Sequence, residues 1–246
     1  MGDEPFNLEA VRRELAPSGI VRFALNHGNV VLVRRGATDE SPSGISVELA
    51  RELARRLGLP IEFRHYDKAG AVTDAAGRDE WDLCFLAIDP KRAEQIVYSE
   101  PYVQIEGAFL VRKGTSINTP EDVVRLKPKI GAVAGSAYEL HLTRTDQGGD
   151  LVRFDDFAVA VSAFESGKVD GLAGVRQAMQ KVAANHPEVE VMAKPFMAIP
   201  QAMGIGINKP LAARFIATFV QEAKRSGFVR RVLDENGHPE VVVPIA

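Results

Sequence analysis

Short apolar segments alternate with amphipathic segments along most of the chain. Apolar runs bounded by turn residues predict buried strands, at residues 21–25, 61–66, 83–86, 107–111, 130–134, 168–173, 189–192 and 202–207. Apolar residues at helical spacing predict helices at 8–15, 44–57, 69–78, 210–224 and 228–233, from Asp155 or Asp156 to Phe164, and after the caps Thr119 and Ser136. This alternation predicts an α/β fold of mainly parallel sheets with short right-handed crossovers.

The stretch from Trp81 to Tyr102 carries the strongest chemical signal. Its apolar strand turns at residues 89–90, where Asp can cap a helix and Pro suits the first helical position. A helix is therefore predicted, with Arg92 in its first turn. A guanidinium beside the unpaired N–H groups of a helix N-terminus makes a strong anion site, and its planar fork fits a carboxylate. The alternative is an arginine that pairs with a neighbouring glutamate or with solvent.

Polar turns follow two other predicted strands. Residues 26–29 (Asn-His-Gly-Asn) come at the carboxyl end of the first strand. Ligands bind there in open α/β sheets, although Asn and Gly also favour an ordinary turn. Residues 135–137 (Gly-Ser-Ala) join a strand to a helix, with Ser136 as the predicted cap. This is a second helix N-terminus suited to an anion, or a plain helix cap.

Composition is that of a globular protein and excludes several classes. The 246 residues, 46% of them hydrophobic, can bury one large core or two modest ones. A net charge of -3 gives no argument for nucleic acid or an acidic membrane surface. Cys84 lies in an apolar strand and is expected in the core rather than as a nucleophile. The five histidines are scattered, so we expect no metal, and His65 is expected to be structural.

Sequence motifs of common enzymes are absent as well. The chain has no G-x-S-x-G elbow, no P-loop and no dinucleotide fingerprint, so we expect no cofactor and no catalytic residue. Residues 1–15 are polar and amphipathic, without the apolar core of a signal peptide. The sequence therefore predicts either that a signal peptide was removed or that the protein is cytoplasmic.

Several motifs, taken in order, resemble the solute-binding proteins of amino-acid ABC transporters (extracellular solute-binding protein family 3, periplasmic binding protein type II). Residues 85–92 (FLAIDPKR) and 98–102 (YSEPY) resemble the family's Ile-Thr-x-x-Arg and Phe-Ser-x-Pro-Tyr. Residues 44–50 (GISVELA) resemble its Gly-Phe-Asp-x-Asp-Leu-Ala, and residues 168–173 (KVDGLA) its Gly-x-Val-Asp-Ala. The resemblance covers residues 21–233.

The resemblance implies a two-lobed protein with a two-strand hinge near Arg112 and Ile199. Lobe 1 would comprise residues 1–112 and 200–246, and lobe 2 residues 113–199. A small carboxylate-bearing solute, an amino acid or a relative, would bind in the cleft between the lobes for delivery to an ABC transporter permease. The protein would be a periplasmic or extracellular monomer. The implied ligand-binding residues are Arg92, Ser136, Ala137, Ala87, Phe85, Asn29, Tyr66 and Glu106.

Three positions depart from the family's pattern. Asn29 stands where an aromatic usually stacks on the ligand, and Phe85 where a small polar residue is usual. Val175 stands where many relatives place the carboxylate that binds the ligand's α-ammonium, so Glu106 is the nearest replacement. Common α-amino acids are therefore expected to bind weakly. Two alternatives stay open, an enzyme on the same fold, similar to the cyclohexadienyl (arogenate/prephenate) dehydratases, and a cytoplasmic ligand-sensing module.

Overall fold

A computed structural model describes residues 6–38 and 41–245, which form two compact units. The first unit takes in the described residues up to Asp67, residues 71–104, and the described residues from Pro200 onward. The second unit takes in residues 68–70 and 105–199. Apart from residues 68–70, the chain changes unit between Gln104 and Ile105, before the predicted crossing near Arg112, and again between Ile199 and Pro200. The predicted motion of two lobes stays a prediction.

The first unit contains a mixed sheet flanked by helices. Its strands are β1 (Val21–Asn26), β2 (Ile61–Tyr66), β3 (Leu83–Ala87), β4 (Ile96–Tyr98) and β10 (Met197–Gly206). Strands β2, β1 and β3 are parallel neighbours, β10 pairs antiparallel with β3, and β4 pairs antiparallel with β10. The helices are α1 (Leu8–Leu15), α2 (Ile45–Leu57), α3 (Ala69–Asp74), α8 (Pro210–Arg225) and α9 (Phe228–Glu235).

The second unit has a similar plan. Its strands are β5 (Val103–Arg112), β6 (Lys129–Val133), β7 (Asp150–Phe154), β8 (Gly171–Val175) and β9 (Val189–Val191). Strand β6 lies parallel between β7 and β8, while β5 pairs antiparallel with β8 and β9. The helices are α4 (Pro120–Leu126), α5 (Ala137–Thr145), α6 (Phe157–Glu165) and α7 (Arg176–Asn185). Alternate residues of β5 enter two cores, Phe109 in one and Leu110 in the other.

The predicted α/β class is confirmed, and several local predictions hold. Thr119 caps α4 in a capping box with Asp122, and Asp156 caps α6 by accepting a hydrogen bond from the N–H of Val159. Helix α2 ends at Gly58, which adopts the left-handed conformation that favours glycine. Among the described residues, no helix is both long enough and apolar enough to cross a bilayer.

The helix predicted after Asp89 is wrong. Arg92–Glu94 forms a single 3-10 turn, after which Ile96–Tyr98 pairs with β10. Branched and aromatic side chains fit a sheet, so tertiary pairing overrides the local helical signal. The predicted strand at 168–173 begins later, at Gly171. Asp170 instead exchanges hydrogen bonds with the backbone of Lys129, which fixes the start of β6.

Candidate functional site

Three parallel strands end together at one edge of the first unit. The last residue of β1, Asn26, pairs with Tyr66 at the end of β2, and β3 beside them ends at Ala87. The carboxyl ends of parallel strands form the usual ligand-binding edge of an α/β sheet. The structure therefore brings Asn29, Tyr66 and Ala87, predicted from separate parts of the sequence, to one edge of this sheet.

The loop after β1 folds tightly and buries Asn29. The N–H of Asn29 donates to the carbonyl of Asn26 at 3.2 Å, and the Asn29 carbonyl accepts from Leu32 at 3.1 Å and Val33 at 3.2 Å. The residue is only 6% exposed. Its side-chain oxygen Oδ1 is buried and accepts no hydrogen bond from any residue that the structure describes. The predicted position thus carries a buried polar atom with no hydrogen-bond partner among the described residues.

A histidine pair supports the same loop. His27 Nε2 and His65 Nδ1 lie 2.7 Å apart and share a hydrogen bond, and the N–H of His27 donates to the carbonyl of Tyr66 at 2.8 Å. His65 therefore has the structural role expected from the sequence, as it ties the loop to β2. No sequence signal pairs a histidine in this loop with one on β2.

Arg92 is buried rather than presented at an exposed helix end. It is 1% exposed, and its Nη1 donates to the carbonyl of Ala87 at 3.0 Å. Burial lowers the pKa of Arg92, while Tyr98, the Asp89 carboxylate and Cys84 act in the opposite direction. Because Arg92–Glu94 is one 3-10 turn, the helix dipole expected to assist it is absent from this part of the described chain. The anion-binding role of Arg92 stays a prediction.

Two side chains predicted to contact the ligand, Phe85 and Tyr66, already interact with other residues of the first unit. Phe85 is buried, with its ring centroid 6.1 Å from that of Phe23 and 6.2 Å from that of Tyr102. It is therefore a core residue of the first unit. The hydroxyl of Tyr66 donates to Glu80 Oε2 at 3.1 Å, and burial together with this bond raises the pKa of Tyr66 to about 12.

In the second unit, Ser136 caps α5 as the sequence predicts. Its side-chain oxygen accepts from the N–H of Glu139 at 3.2 Å. The N–H groups of Ala137 and Tyr138 at this end of the helix donate to no residue in the described ranges. Unpaired N–H groups at a helix N-terminus favour an anion. The turn therefore offers two backbone donors to a carboxylate.

Glu139 holds this turn in place. Its carboxylate accepts from the N–H of Gly135 at 3.1 Å, from Thr143 Oγ1 at 2.8 Å and from Arg153 Nε at 2.8 Å. Sequence reasoning missed this residue, although Ser136 followed three residues later by Glu139 has the form of a capping box. In a capping box the glutamate would accept from the N–H of the cap residue, whereas here Glu139 accepts from the N–H of Gly135, the residue before the cap. Gly135 has φ 72°, a conformation that favours glycine.

Glu106, predicted to replace the missing ammonium acceptor, already has a cationic partner. Its carboxylate pairs with Arg176 Nε. The same guanidinium donates to the carbonyls of Met192 at 3.1 Å and Ala193 at 3.0 Å. Val175 is buried at the start of α7 and supplies no side-chain cap. Glu106, on the strand beside the end of β8, is therefore already paired with a cation.

The sequence matches the model of a family described as bacterial extracellular solute-binding proteins, family 3, over residues 33–235. The chain belongs to this family. The chain is also similar to the ABC transporter glutamine-binding protein GlnH of Bacillus subtilis, which is 22% identical over 188 residues, 75% of this chain and 68% of GlnH. The arginine-binding periplasmic protein of Mannheimia haemolytica is 20% identical over 201 residues, 78% of this chain and 81% of that protein.

A solved structure shows the same fold as this family 3 chain. It is AbpA of Streptococcus pneumoniae, an amino acid ABC transporter substrate-binding protein bound to L-arginine. The TM-score is 0.76 at 19% identity, over 90% of this chain and 95% of AbpA. The recognition made from the motifs of residues 44–50, 85–102 and 168–173 is thus confirmed.

Proposed function

We propose that this protein binds a small carboxylate-bearing solute, an amino acid or a relative, and delivers it to the membrane permease of an ABC transporter. The observation that carries the proposal is the family match over residues 33–235. GlnH and the arginine-binding periplasmic protein are named for the amino acids they bind. The same relationship favours the periplasm or the cell exterior over a cytoplasmic sensing role.

The geometry of each unit supports a carboxylate as the common feature of the ligand. The second unit offers the Ala137 and Tyr138 N–H groups at the start of α5. The first unit contributes Arg92 beside the end of β3, where a buried guanidinium makes strong charge-assisted hydrogen bonds. We infer that each of these groups is suited to bind a carboxylate, and that excluding water from either group would strengthen the interaction.

The other end of the ligand differs from that of a common α-amino acid. Val175 is apolar, and the charge of Glu106 is balanced by Arg176. An ammonium group taken out of water without a counter-charge is costly. We therefore infer that the protein does not depend on an α-ammonium group for recognition. The dehydratase alternative needs a proton donor beside the leaving hydroxyl, and Val175 supplies none at that position.

Mass spectrometry of ligand retained through native purification tests the proposal most directly. We expect a small carboxylic acid to be released on denaturation. A thermal-shift screen of amino acids and organic acids is the second measurement, because a ligand that binds only the native state raises the melting temperature. Failure of every carboxylate to bind or stabilise the protein would contradict the proposed function.

A further inference from the structure

One cavity of the second unit is lined by none of the predicted ligand-binding residues. It lies where the ends of β5 and α6 meet the turn from α7 into β9, and its volume is about 380 Å³. The residues that line it are Arg112, Phe164, Glu165, His186, Glu188 and Val189. A histidine, two acids and a cation from separate parts of the chain therefore come together around this cavity.

His186 lies between the two acids. Its Nε2 is 3.1 Å from Glu165 Oε1, and its Nδ1 is 3.2 Å from Glu188 Oε1. A neutral imidazole has one N–H donor and one acceptor nitrogen, whereas the doubly protonated ring has two donors. In a neutral ring, one nitrogen would face a carboxylate oxygen with no hydrogen between them. Only the doubly protonated ring makes both hydrogen bonds.

The two helices that end at this cluster also favour a positive charge there. Glu165 is the last residue of α6, and His186 directly follows α7. The C-terminal end of a helix carries partial negative charge, which stabilises a cation and disfavours an acid. Neither α6 nor α7 has a basic residue in its last turn. A positive ring on His186 therefore offsets the charge of Glu165 and lies at the negative end of α7.

The cations packed around the ring bond to other groups. The guanidinium of Arg112 lies over the ring of Phe164, 4.4 Å from its centroid, and donates to the carbonyls of Phe164 and Val169. Lys113 donates through Nζ to the carbonyl of Pro187 at 2.6 Å. Backbone carbonyls thus engage both cations, which leaves the two glutamates to the histidine.

The charge of Glu188 agrees with this arrangement. Its pKa lies below the usual value, first because its own backbone N–H donates to the carboxylate, and further because His186 and Arg112 are close. Glutamate side chains are ordinarily ionised by pH 5.5. The acids can therefore accept from the ring at a pH where histidine carries its second proton.

We propose that His186, with Glu165 and Glu188, forms a pH-sensitive clamp that joins the end of α6 to the turn between α7 and β9. Histidine ordinarily gains its second proton below about pH 6.5, so both ion pairs form at mildly acidic pH. As the pH rises above neutrality, the ring releases one proton to solvent and one of the two bonds is lost. The clamp therefore stabilises the second unit in mild acid and releases the turn in mild base.

The segment that the clamp controls is short. Strand β9 has three residues, Val189–Val191, and pairs with β5 from Leu110 to Arg112. The N–H of Val189 donates to the carbonyl of His186 at 3.1 Å, so the histidine begins the turn that leads into β9. Release of the ring is therefore expected to loosen this turn and the first pairs of β9.

Hydrogen exchange of the full chain, followed by mass spectrometry, tests the clamp. His186→Gln removes the titrating ring and keeps a polar side chain. At pH 5.5 we expect this variant to exchange about two- to fivefold faster than wild type in peptides covering residues 160–165 and 186–191, as for the loss of exposed ion pairs. At pH 8.5 the two proteins should exchange alike, because the wild-type clamp is already released.

Two further backgrounds serve as controls. The double variant Glu165→Gln/Glu188→Gln keeps the histidine and removes its partners, so adding His186→Gln to it should change exchange at neither pH. His238→Gln removes a histidine of the first unit that lies 3.5 Å from one carboxylate, that of Glu240. It should leave the peptides of the second unit unchanged. Thermal melts at both pH values check that each variant is folded.

Three results would overturn the clamp. Equal exchange of wild type and His186→Gln at pH 5.5 would show that the ring holds nothing. An effect of the same size at pH 5.5 and pH 8.5 would show that the ring acts by packing, which does not depend on its second proton. An effect that persists in the double-glutamine background would show that the histidine acts without the two carboxylates.

Discussion

Arg92 shows how a single residue can be recognised in the sequence while its surroundings are not. Its spacing from the Asp-Pro turn identifies it, but the structure places it under the end of β3 and not in the first turn of a helix. The Asp89 carboxylate is only 2% exposed and acts to keep Arg92 charged. The guanidinium is therefore held by local groups before any ligand binds.

We predict that Arg92→Ala lowers ligand affinity by about 2–5 kcal/mol, because it removes one partner of a desolvated charge pair. Arg92→Lys should recover only part of the lost affinity, because the lysine ammonium keeps the positive charge but lacks the planar fork of the guanidinium. Titration calorimetry with the ligand retained through native purification measures both effects. Lys91→Ala, which removes the exposed cation beside Arg92, is the control. Thermal melts check that each variant is folded. Unchanged affinity in a folded Arg92→Ala protein would remove Arg92 from the site.

At the scale of an element, helix α2 illustrates how charge stabilises a predicted amphipathic helix. Glu52 accepts from Arg55 Nε at 2.8 Å and from Arg56 Nε at 2.9 Å, and Arg56 also pairs with Glu222 of α8. The hydrogen bond from Arg55, assisted by Arg56, lowers the pKa of Glu52 from 4.5 to about 2 despite some burial. The network joins the surface of α2 to a helix far along the chain.

This pKa shift predicts a pH-dependent stability. The folded-state pKa of Glu52 lies below its unfolded value, so the stabilisation is complete above pH 4.5 and is lost as the pH falls toward 2. We expect Glu52→Gln to lower the free energy of unfolding by about 1 kcal/mol at pH 7, and less at pH 3. Urea unfolding at several pH values measures the difference.

Glu9→Gln serves as the matched control for that experiment. Glu9 is also helical but far more exposed, and its partner Arg13 lies 3.8 Å away, so its replacement should change stability very little. A difference between wild type and Glu52→Gln that stays the same from pH 7 to pH 3 would contradict the proposed ion-pair network.

At the scale of the whole molecule, two strands each contain a change from one compact unit to the other, in addition to the short excursion of residues 68–70. One passage lies at Gln104–Ile105 at the start of β5, and the other at Ile199–Pro200 in β10. Where domains close on a ligand, the hinge is a few loop or element-terminal residues that absorb the change in backbone angles. The sequence resemblance predicts such closure for this family member.

We therefore predict that a saturating ligand reduces the radius of gyration. Small-angle scattering with and without the ligand retained in purification measures the change. Arg92→Ala at the same ligand concentration is the control, because it should stay unliganded and keep the larger radius. A wild-type radius that does not change when calorimetry shows saturation would exclude closure.

The sequence by itself determined the features that depend on neighbouring residues. The caps at Thr119, Ser136 and Asp156 act over three residues, and the alternation of strand and helix follows from apolar spacing. The order of motifs along residues 44–173 was enough to identify the family. The caps depend only on residues a few positions apart, which is why the sequence alone was enough to predict them.

Only the tertiary structure decided which of the predicted side chains already have a hydrogen-bond, ion-pair or packing partner within the protein. Glu106 forms an ion pair with Arg176, which is 70 residues later in the sequence. His27 shares a hydrogen bond with His65, which is 38 residues later. Strand pairing turned the helix predicted at Arg92 into a 3-10 turn, and burial placed Phe85 in the core while leaving Asn29 Oδ1 without a partner. The physical reason is that strand pairing and burial depend on which segments, distant in sequence, come into contact. The local pattern of apolar and polar residues does not specify those contacts.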